Sequence, residues 1–300
     1  MIGWKRQTQC EKASEPPCSR GGFKGFLKHL LAGLPFSESA TGEARIRLEL
    51  PTNGALRTDN TNGRTRVIGE ERGDIEIVVQ KYTRAESETA AKQLLDEIQI
   101  LPSRQGSDLF VEVQVPRRWN RRCCTQIEVH VPRTLRVETS SSNGKISFEG
   151  LRADLRARGS NGSVRVKDVI GDIEIQTSNA AIRCSETCGR LVARSSNGKI
   201  EISDHRGSVD ACTSNGPIYA DLEEINSEGV QLATSNGRIV LELPEKVDAD
   251  LDLRVDNGVI RNDRELRAES NAGVGRQRGT LGRGGAPIRL QTSNGSISLR

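Results

Sequence analysis

The chain has 300 residues, with 44 Lys and Arg against 40 Asp and Glu and a net charge of +4, an excess too mild to mark a nucleic-acid binder by itself. Aromatic residues at 3% and a single Met argue against a bulky globular core, and no run approaches the ~20 apolar residues of a membrane-spanning helix.

Residues 1–40 read as a leader. Phe23, Phe26, Leu27, Leu30, Leu31 and Leu34 recur at helical spacing with Lys24, Lys28 and His29 among them, which predicts a short basic amphipathic helix. Such a helix covers an exposed strand edge of the following domain or lies on a membrane surface. An anionic polymer or membrane surface met through residues 22–34 is therefore an expected partner. No apolar h-region follows Met1, so no signal peptide is expected. The localisation read from this is cytoplasmic or peripheral to the membrane, or the cell surface if the start is incomplete.

Residues 41–300 read as one β domain, irregular over 41–135 and regular over 136–300. In the irregular part Ile46, Leu48 and Leu50 alternate with polar residues, as do Ile75, Ile77 and Val79, which is the period of a half-buried strand. Asn53-Gly54 and Asn62-Gly63 look like corners. One inserted helix is expected over Ala85–Ile98, with Ala91, Leu94, Leu95 and Ile98 on one face. Arg117-Arg118-Trp119-Asn120-Arg121-Arg122 reads as a basic loop before the strand that carries Val129 and Val131.

From there a Ser-Asn-Gly corner dominates. Asn143, Asn161, Asn179, Asn197 and Asn215 stand 18 residues apart, followed by Asn236, Asn257 and Asn294. A period this short is one supersecondary unit repeated. Positions six and four before the Asn are apolar from Asn161 on (Leu155 and Ala157, Ile173 and Ile175), and so are positions three and five after it at every corner but Asn257 (Val164 and Val166, Ile200 and Ile202). Both halves alternate with period two, so each unit is two strands and two turns. The fold class predicted is all-β: a single-stranded β-solenoid, or β-helix, of about 18-residue two-strand coils, with one inserted helix and a short N-terminal amphipathic helix. Asn and Gly are expected at the corners because they accept positive φ, and successive Asn side chains can form a hydrogen-bonded ladder. A Gly/Arg-rich insertion at 261–286 interrupts the beat. The last strand, Ser296–Leu299, ends the chain, which predicts self-association through an open C-terminal solenoid edge.

Chemistry is sparse in this pattern. Of the seven cysteines, Cys184 falls at an inward position, Cys188 in a turn and Cys212 at an outward position; no disulfide framework is implied. The Cys184–Cys188 spacing is the only faint metal signal, so no metal site and no cofactor are predicted. His29, His130 and His205 are too scattered for a catalytic constellation, and His205 reads as a solvated turn residue. Outward acids Glu138, Glu174, Asp210 and Asp252 sit on non-adjacent units, without the close pairing that glycoside chemistry needs, so the chain is read as not an enzyme. The outward positions after the corners hold Lys145, Arg165, Arg183, Lys199, Arg238 and Arg261 against one acid, Glu201. That face could take an anionic ligand, or its charges could simply be solvating ones that discourage aggregation.

The repeated Ser-Asn-Gly-x-Ile corners, the phrase Gly284-Gly285-Ala286-Pro287-Ile288-Arg289-Leu290-Gln291-Thr292-Ser293-Asn294-Gly295-Ser296-Ile297-Ser298-Leu299 and the Val131-Pro132 lead-in resemble the bacterial β-strand-repeat family labelled putative adhesin, a domain of unknown function. The likeness spans roughly 43–300. It implies a β-solenoid, a surface, adhesive or scaffolding role, and no catalytic residues. The reading that leads is a non-enzymatic scaffold or adhesin-like interaction module. A binder of an anionic polymer or membrane surface comes second, and a polysaccharide-active β-helix enzyme third.

Overall fold

A computed structural model of the chain describes residues 38–115, 123–270 and 275–300. The helix expected over 23–34 and the Arg117–Arg122 loop lie outside the described residues. The first strand, β1 (Glu38–Leu48), begins three residues before the domain boundary expected at 41. It is followed by β2 (Leu56–Asn62), β3 (Thr65–Glu70) and β4 (Ile75–Ala85).

The only helix among the described residues is α1 (Glu88–Glu97). Its start is set by Ser87, whose Oγ accepts from the Ala90 N–H at 3.2 Å, and Glu88 faces the positive end of the helix dipole. Ala91 and Leu94 are buried, and Thr83 of β4 donates to the Ala91 carbonyl at 2.7 Å. The helix thus leans on the antiparallel pair β1–β4.

The remaining strands are β5 (Gln99–Gln105), β6 (Asp108–Gln114), β7 (Cys123–Pro132), β8 (Val137–Asn143), β9 (Ile146–Leu151), β10 (Leu155–Gly159), β11 (Val164–Ile170) and β12 (Ile173–Thr177). They are followed by β13 (Ile182–Ser195), β14 (Ile200–Asn215), β15 (Ile218–Asn236), β16 (Ile239–Glu242), β17 (Ala249–Asn262), β18 (Arg267–Ser270), β19 (Arg276–Leu281) and β20 (Ala286–Leu299). All twenty belong to one open sheet.

That sheet runs as two stacks of parallel strands meeting at the asparagine corner. In the first, strands before each corner pair in register 18 residues apart: Leu155 with Ile173, Ile173 with Leu191, Leu191 with Val209. In the second, strands after the corner do the same: Ile146 with Val164, Val164 with Ile182, Ile182 with Ile200. Inward residues of both stacks meet in one continuous apolar interior. Leu155, Ile175, Ala193, Ala211, Ile182, Ile200 and Ile239 are all within 2% of complete burial. Small residues at Ala157, Ala193 and Ala211 let the two stacks approach closely, so side chains interlock at interior packing density.

The irregular segment departs from the expected coils. β1–β4, β4–β7 and β5–β6 are antiparallel, whereas β2 and β3 join the regular stacks in parallel against β8 and β9, and β6 and β7 pair in parallel with β2 and β3 in turn. The long inserted stretch between β4 and β7 lets the chain turn back at the end of the stack, and a returning strand pairs antiparallel.

The C-terminal edge is also corrected. β20 pairs with β15 and β16 on one side and along the whole of β17 on the other. Leu299 is fully buried, so the last strand is interior and cannot serve as the open edge. The insertion read as irregular is largely strand: β19 pairs antiparallel with the first half of β17, covering the end of the first stack. Among the described residues the second half of β17 pairs with β20 alone, and Val259 there is 56% exposed.

The asparagine ladder is present, in a permuted order. From Asn161 onward each Asn Nδ2 donates to the Oδ1 of the preceding member at 2.8–3.1 Å, in the order Asn143, Asn161, Asn179, Asn197, Asn215, Asn236, Asn294, Asn257. None of these asparagines has positive φ. The side-chain ladder is what selects Asn there. The glycine after it is selected by closeness, since a Cβ on Gly198 would sit 1.9 Å from the Ala180 carbonyl oxygen. The left-handed region recurs at the opposite corner, where Gly150, Asp168, Glu186 and Asp204 enter it 18 residues apart, while positive φ is also present at the corner glycines Gly63, Gly216, Gly258 and Gly295.

Candidate functional site

The outward face of the second stack carries the predicted basic residues. Register places Arg66, Ser147, Arg165, Arg183, Glu201 and Tyr219 in one row across neighbouring strands. The row beside it holds Arg64 and Lys145 on adjacent strands, tied by the Thr65 N–H donating to the Lys145 carbonyl at 2.9 Å.

These positions do not form a uniform strip. Lys145, Arg165 and Arg183 come together with Arg64, which the sequence reading missed. Burial pushes the Lys145 ammonium below its ordinary pKa, and the positive charges of Arg165, Arg64 and Arg183 push it further. Lys145, Arg165 and Arg64 have no carboxylate partner among the described residues. Ser147, between Arg66 and Arg165, has a buried hydroxyl with no hydrogen-bond partner. Arg64 was legible in one way: it stands two residues after Asn62, as Lys145 stands after Asn143.

Glu201 terminates the cluster. It accepts from Lys199 and from Arg183 Nε, the latter at 2.8 Å, and those bonds hold its carboxyl below the usual range. Lys199 also lies 4.7 Å from the Tyr219 ring centroid. Lys199 is thus neutralised, and Arg183 is shared between Glu201 and the cluster. Arg238 and Arg261 stand apart, separated from it by the Lys199–Glu201–Tyr219 group.

Charges elsewhere are largely satisfied within the protein. Glu138 lies 3.5 Å from Arg57, Glu174 2.7 Å from Arg156, Asp210 2.6 Å from Arg194 and Asp252 2.7 Å from Arg276. In the Gly/Arg-rich insertion, Arg283 bonds Asp248, and Arg264 donates to the carbonyls of Pro244 and Glu245. Four arginines of that insertion, Arg264, Arg276, Arg278 and Arg283, are thus engaged within the protein.

His205 overturns the expectation of a solvated turn residue. It is fully buried, its Nδ1 2.9 Å from Thr187 Oγ1 and its Nε2 3.3 Å from the Ser208 carbonyl. Burial lowers its pKa despite those bonds. Cys184 is buried and its thiol is pushed up to about 12, while Cys188 lies within β13 rather than in a turn. Among the described residues, no group of three or more His, Cys, Asp or Glu is placed to hold a metal ion, and no helix is long and apolar enough to cross a membrane.

A family model described as Toastrack DUF4097 matches residues 59–300. No curated protein matches the chain. Among solved structures, a putative adhesin from Bacteroides fragilis NCTC 9343 is 13% identical, covers 89% of this chain and 99% of its own, and has a TM-score of 0.49. A putative adhesin from Parabacteroides merdae ATCC 43184 is 11% identical, with 88% and 97% covered and a TM-score of 0.40. A putative lipid binding protein from Parabacteroides distasonis ATCC 8503 is 12% identical, with 86% and 96% covered and a TM-score of 0.35.

Proposed function

The chain belongs to the Toastrack DUF4097 family, and on that premise we propose that it is a non-enzymatic β-solenoid acting as an adhesin-like interaction module. The registers at 18-residue offsets in both stacks support two-strand coils under a Ser-Asn-Gly corner. The observation that carries the binding reading is the cluster Arg64, Lys145, Arg165 and Arg183. Placing like charges side by side costs free energy in the isolated protein. An anionic ligand relieves that cost and takes the donors left unused. The repeat of about 4.8 Å between strands sets cations at a pitch that a polymer lying along the stack can follow. The adhesive partner is thus an anionic polymer or an anionic surface.

Retention on a heparin column tests this. The triple variant Arg64→Glu, Arg165→Glu, Arg183→Glu should elute without retention, whereas Arg238→Glu with Arg261→Glu should elute close to the parent. Retention of the parent should fall with rising salt, since exposed charges are screened beyond ~10 Å at 0.1 M. Equal elution of both variants and the parent would defeat the reading. Co-sedimentation with anionic and neutral vesicles separates a membrane surface from a free polymer.

A further inference from the structure

A second recognition feature lies on the other stack, where the inserted hairpin β5–β6 joins the regular strands. An open groove of about 290 Å³ crosses β5, β6, β2, β8 and β10 there, near the lower end of small-ligand pockets at ~300 Å³. Two rows of outward side chains line it. One row is Phe110, Arg57, Glu138 and Arg156, in register on four successive strands. Its charges are used up internally: Arg57 bonds Asp108 at 2.8 Å and lies 5.2 Å from the Phe110 ring centroid, and Arg156 bonds Glu174.

The neighbouring row is Glu112, Asp59, Ser140 and Arg158. Its three charged side chains are exposed, and none has a partner among the described residues. Four strands at ~4.8 Å make this row roughly 14 Å long. It offers two carboxylates that only accept, a hydroxyl that does both, and a guanidinium that only donates. Beside it stands the half-buried ring of Phe110.

We propose that this groove binds a short glycan carrying no net negative charge. Sugar hydroxyls both donate and accept, so one ring system can satisfy carboxylates at one end of the row and a guanidinium at the other. The apolar C–H face of a pyranose packs on an aromatic ring as other apolar surface does. Two free carboxylates against one free guanidinium disfavour uronates and sulfated sugars, which sets this groove apart from the basic cluster. A basic peptide would match Asp59 and Glu112 but would leave Arg158 opposed by like charge.

Titration calorimetry of the full chain tests this with three trisaccharides: neutral tri-N-acetylglucosamine, its de-N-acetylated amino counterpart and trigalacturonate, plus trilysine. The neutral or amino trisaccharide should bind at or below about 1 mM. Asp59→Asn with Glu112→Gln should weaken it at least about tenfold, the loss of two charge-assisted hydrogen bonds, with an unchanged circular dichroism spectrum. The Arg64/Arg165/Arg183 charge-reversal variant should bind it normally, so this proposal and the anion-binding one fail separately. Binding of only trigalacturonate or trilysine, no glycan binding up to 5 mM, or affinity unchanged in the double variant would each overturn it.

Discussion

The corner glycine Gly198 gives a direct test of how tightly the units are stacked. A Cβ there would stand 1.9 Å from the Ala180 carbonyl oxygen, 2.6 Å from its carbon and 2.7 Å from Ser195 Oγ. The first two are backbone atoms, and no rotamer change removes them. Reaching an ordinary contact requires the corner to move by roughly 1 Å or more, taken against typical heavy-atom separations of ~3.5 Å. The bonds crossing the same corner are Asn197 N–H to the Ser178 carbonyl at 2.8 Å and Asn197 Nδ2 to Asn179 Oδ1 at 2.9 Å. Stretching two such bonds costs about 0.5–1.5 kcal/mol each, and backbone strain adds about 1 kcal/mol or more. Gly198→Ala is therefore expected to destabilise by about 2–4 kcal/mol, summing those ranges. Gly73→Ala is the control, because nothing lies within 4 Å of its added Cβ; it should stay within about 0.5 kcal/mol of the parent. Urea unfolding followed by far-UV circular dichroism reads both. If Gly198→Ala unfolds at the parent's midpoint, the close stacking of corners is wrong.

The interior makes its own demand: Ile200→Ala removes a fully buried side chain and should cost about 2–5 kcal/mol in the same assay. Leu299→Ala should cost a similar amount, though it is the penultimate residue, because β20 lies between β15/β16 and β17. A change below ~0.5 kcal/mol, typical of an exposed position, would place that strand at an edge after all. His205 is held neutral by burial, so the unfolded chain binds more protons below its ordinary pKa near 6.5. Stability should therefore fall as pH drops through about 6.5 and flatten below the depressed folded-state pKa. His205→Gln should lose that dependence, and an identical pH profile for both proteins would refute the assignment. Cys184, with its thiol pushed up to about 12, should resist iodoacetamide in the native protein and react in urea, as peptide mass spectrometry would show. Lys145 should titrate below an ordinary lysine by NMR and move back toward it in Arg165→Gln.

Much of the regular region was written in the sequence, because a period repeated in register needs no long-range information. Once Leu155 and Ala157 point inward, residues 18 positions on must do the same, and every inward position read from the corners is buried, down to Cys184 and Ala220. The asparagine file followed by the same logic, since stacking identical units puts identical side chains over one another. Its order did not follow: Asn294 sits between Asn236 and Asn257 because β20 inserts between strands that precede it in the chain, and strand pairing has no memory of chain order. His205 was misplaced because turn position predicts exposure only for a single hairpin; in a stack the neighbouring units cover the turn from both sides.

The sites divide along the same line. Residue type and spacing alone told which positions face outward and that one face is basic. Which cations lie together was decided by tertiary pairing. Arg64 joins Lys145 only because β2 and β3 stack against β8 and β9, about 80 residues along the chain, and Glu201 removes Lys199 from the patch. The acids of the groove, Asp59 and Glu112, are neighbours only through the β2–β6 pairing across the inserted helix. Local periodicity fixes the direction of each side chain, because that depends on backbone geometry within a few residues. Charge clusters and grooves depend on which strands meet, and that is settled by burying the whole apolar interior at once.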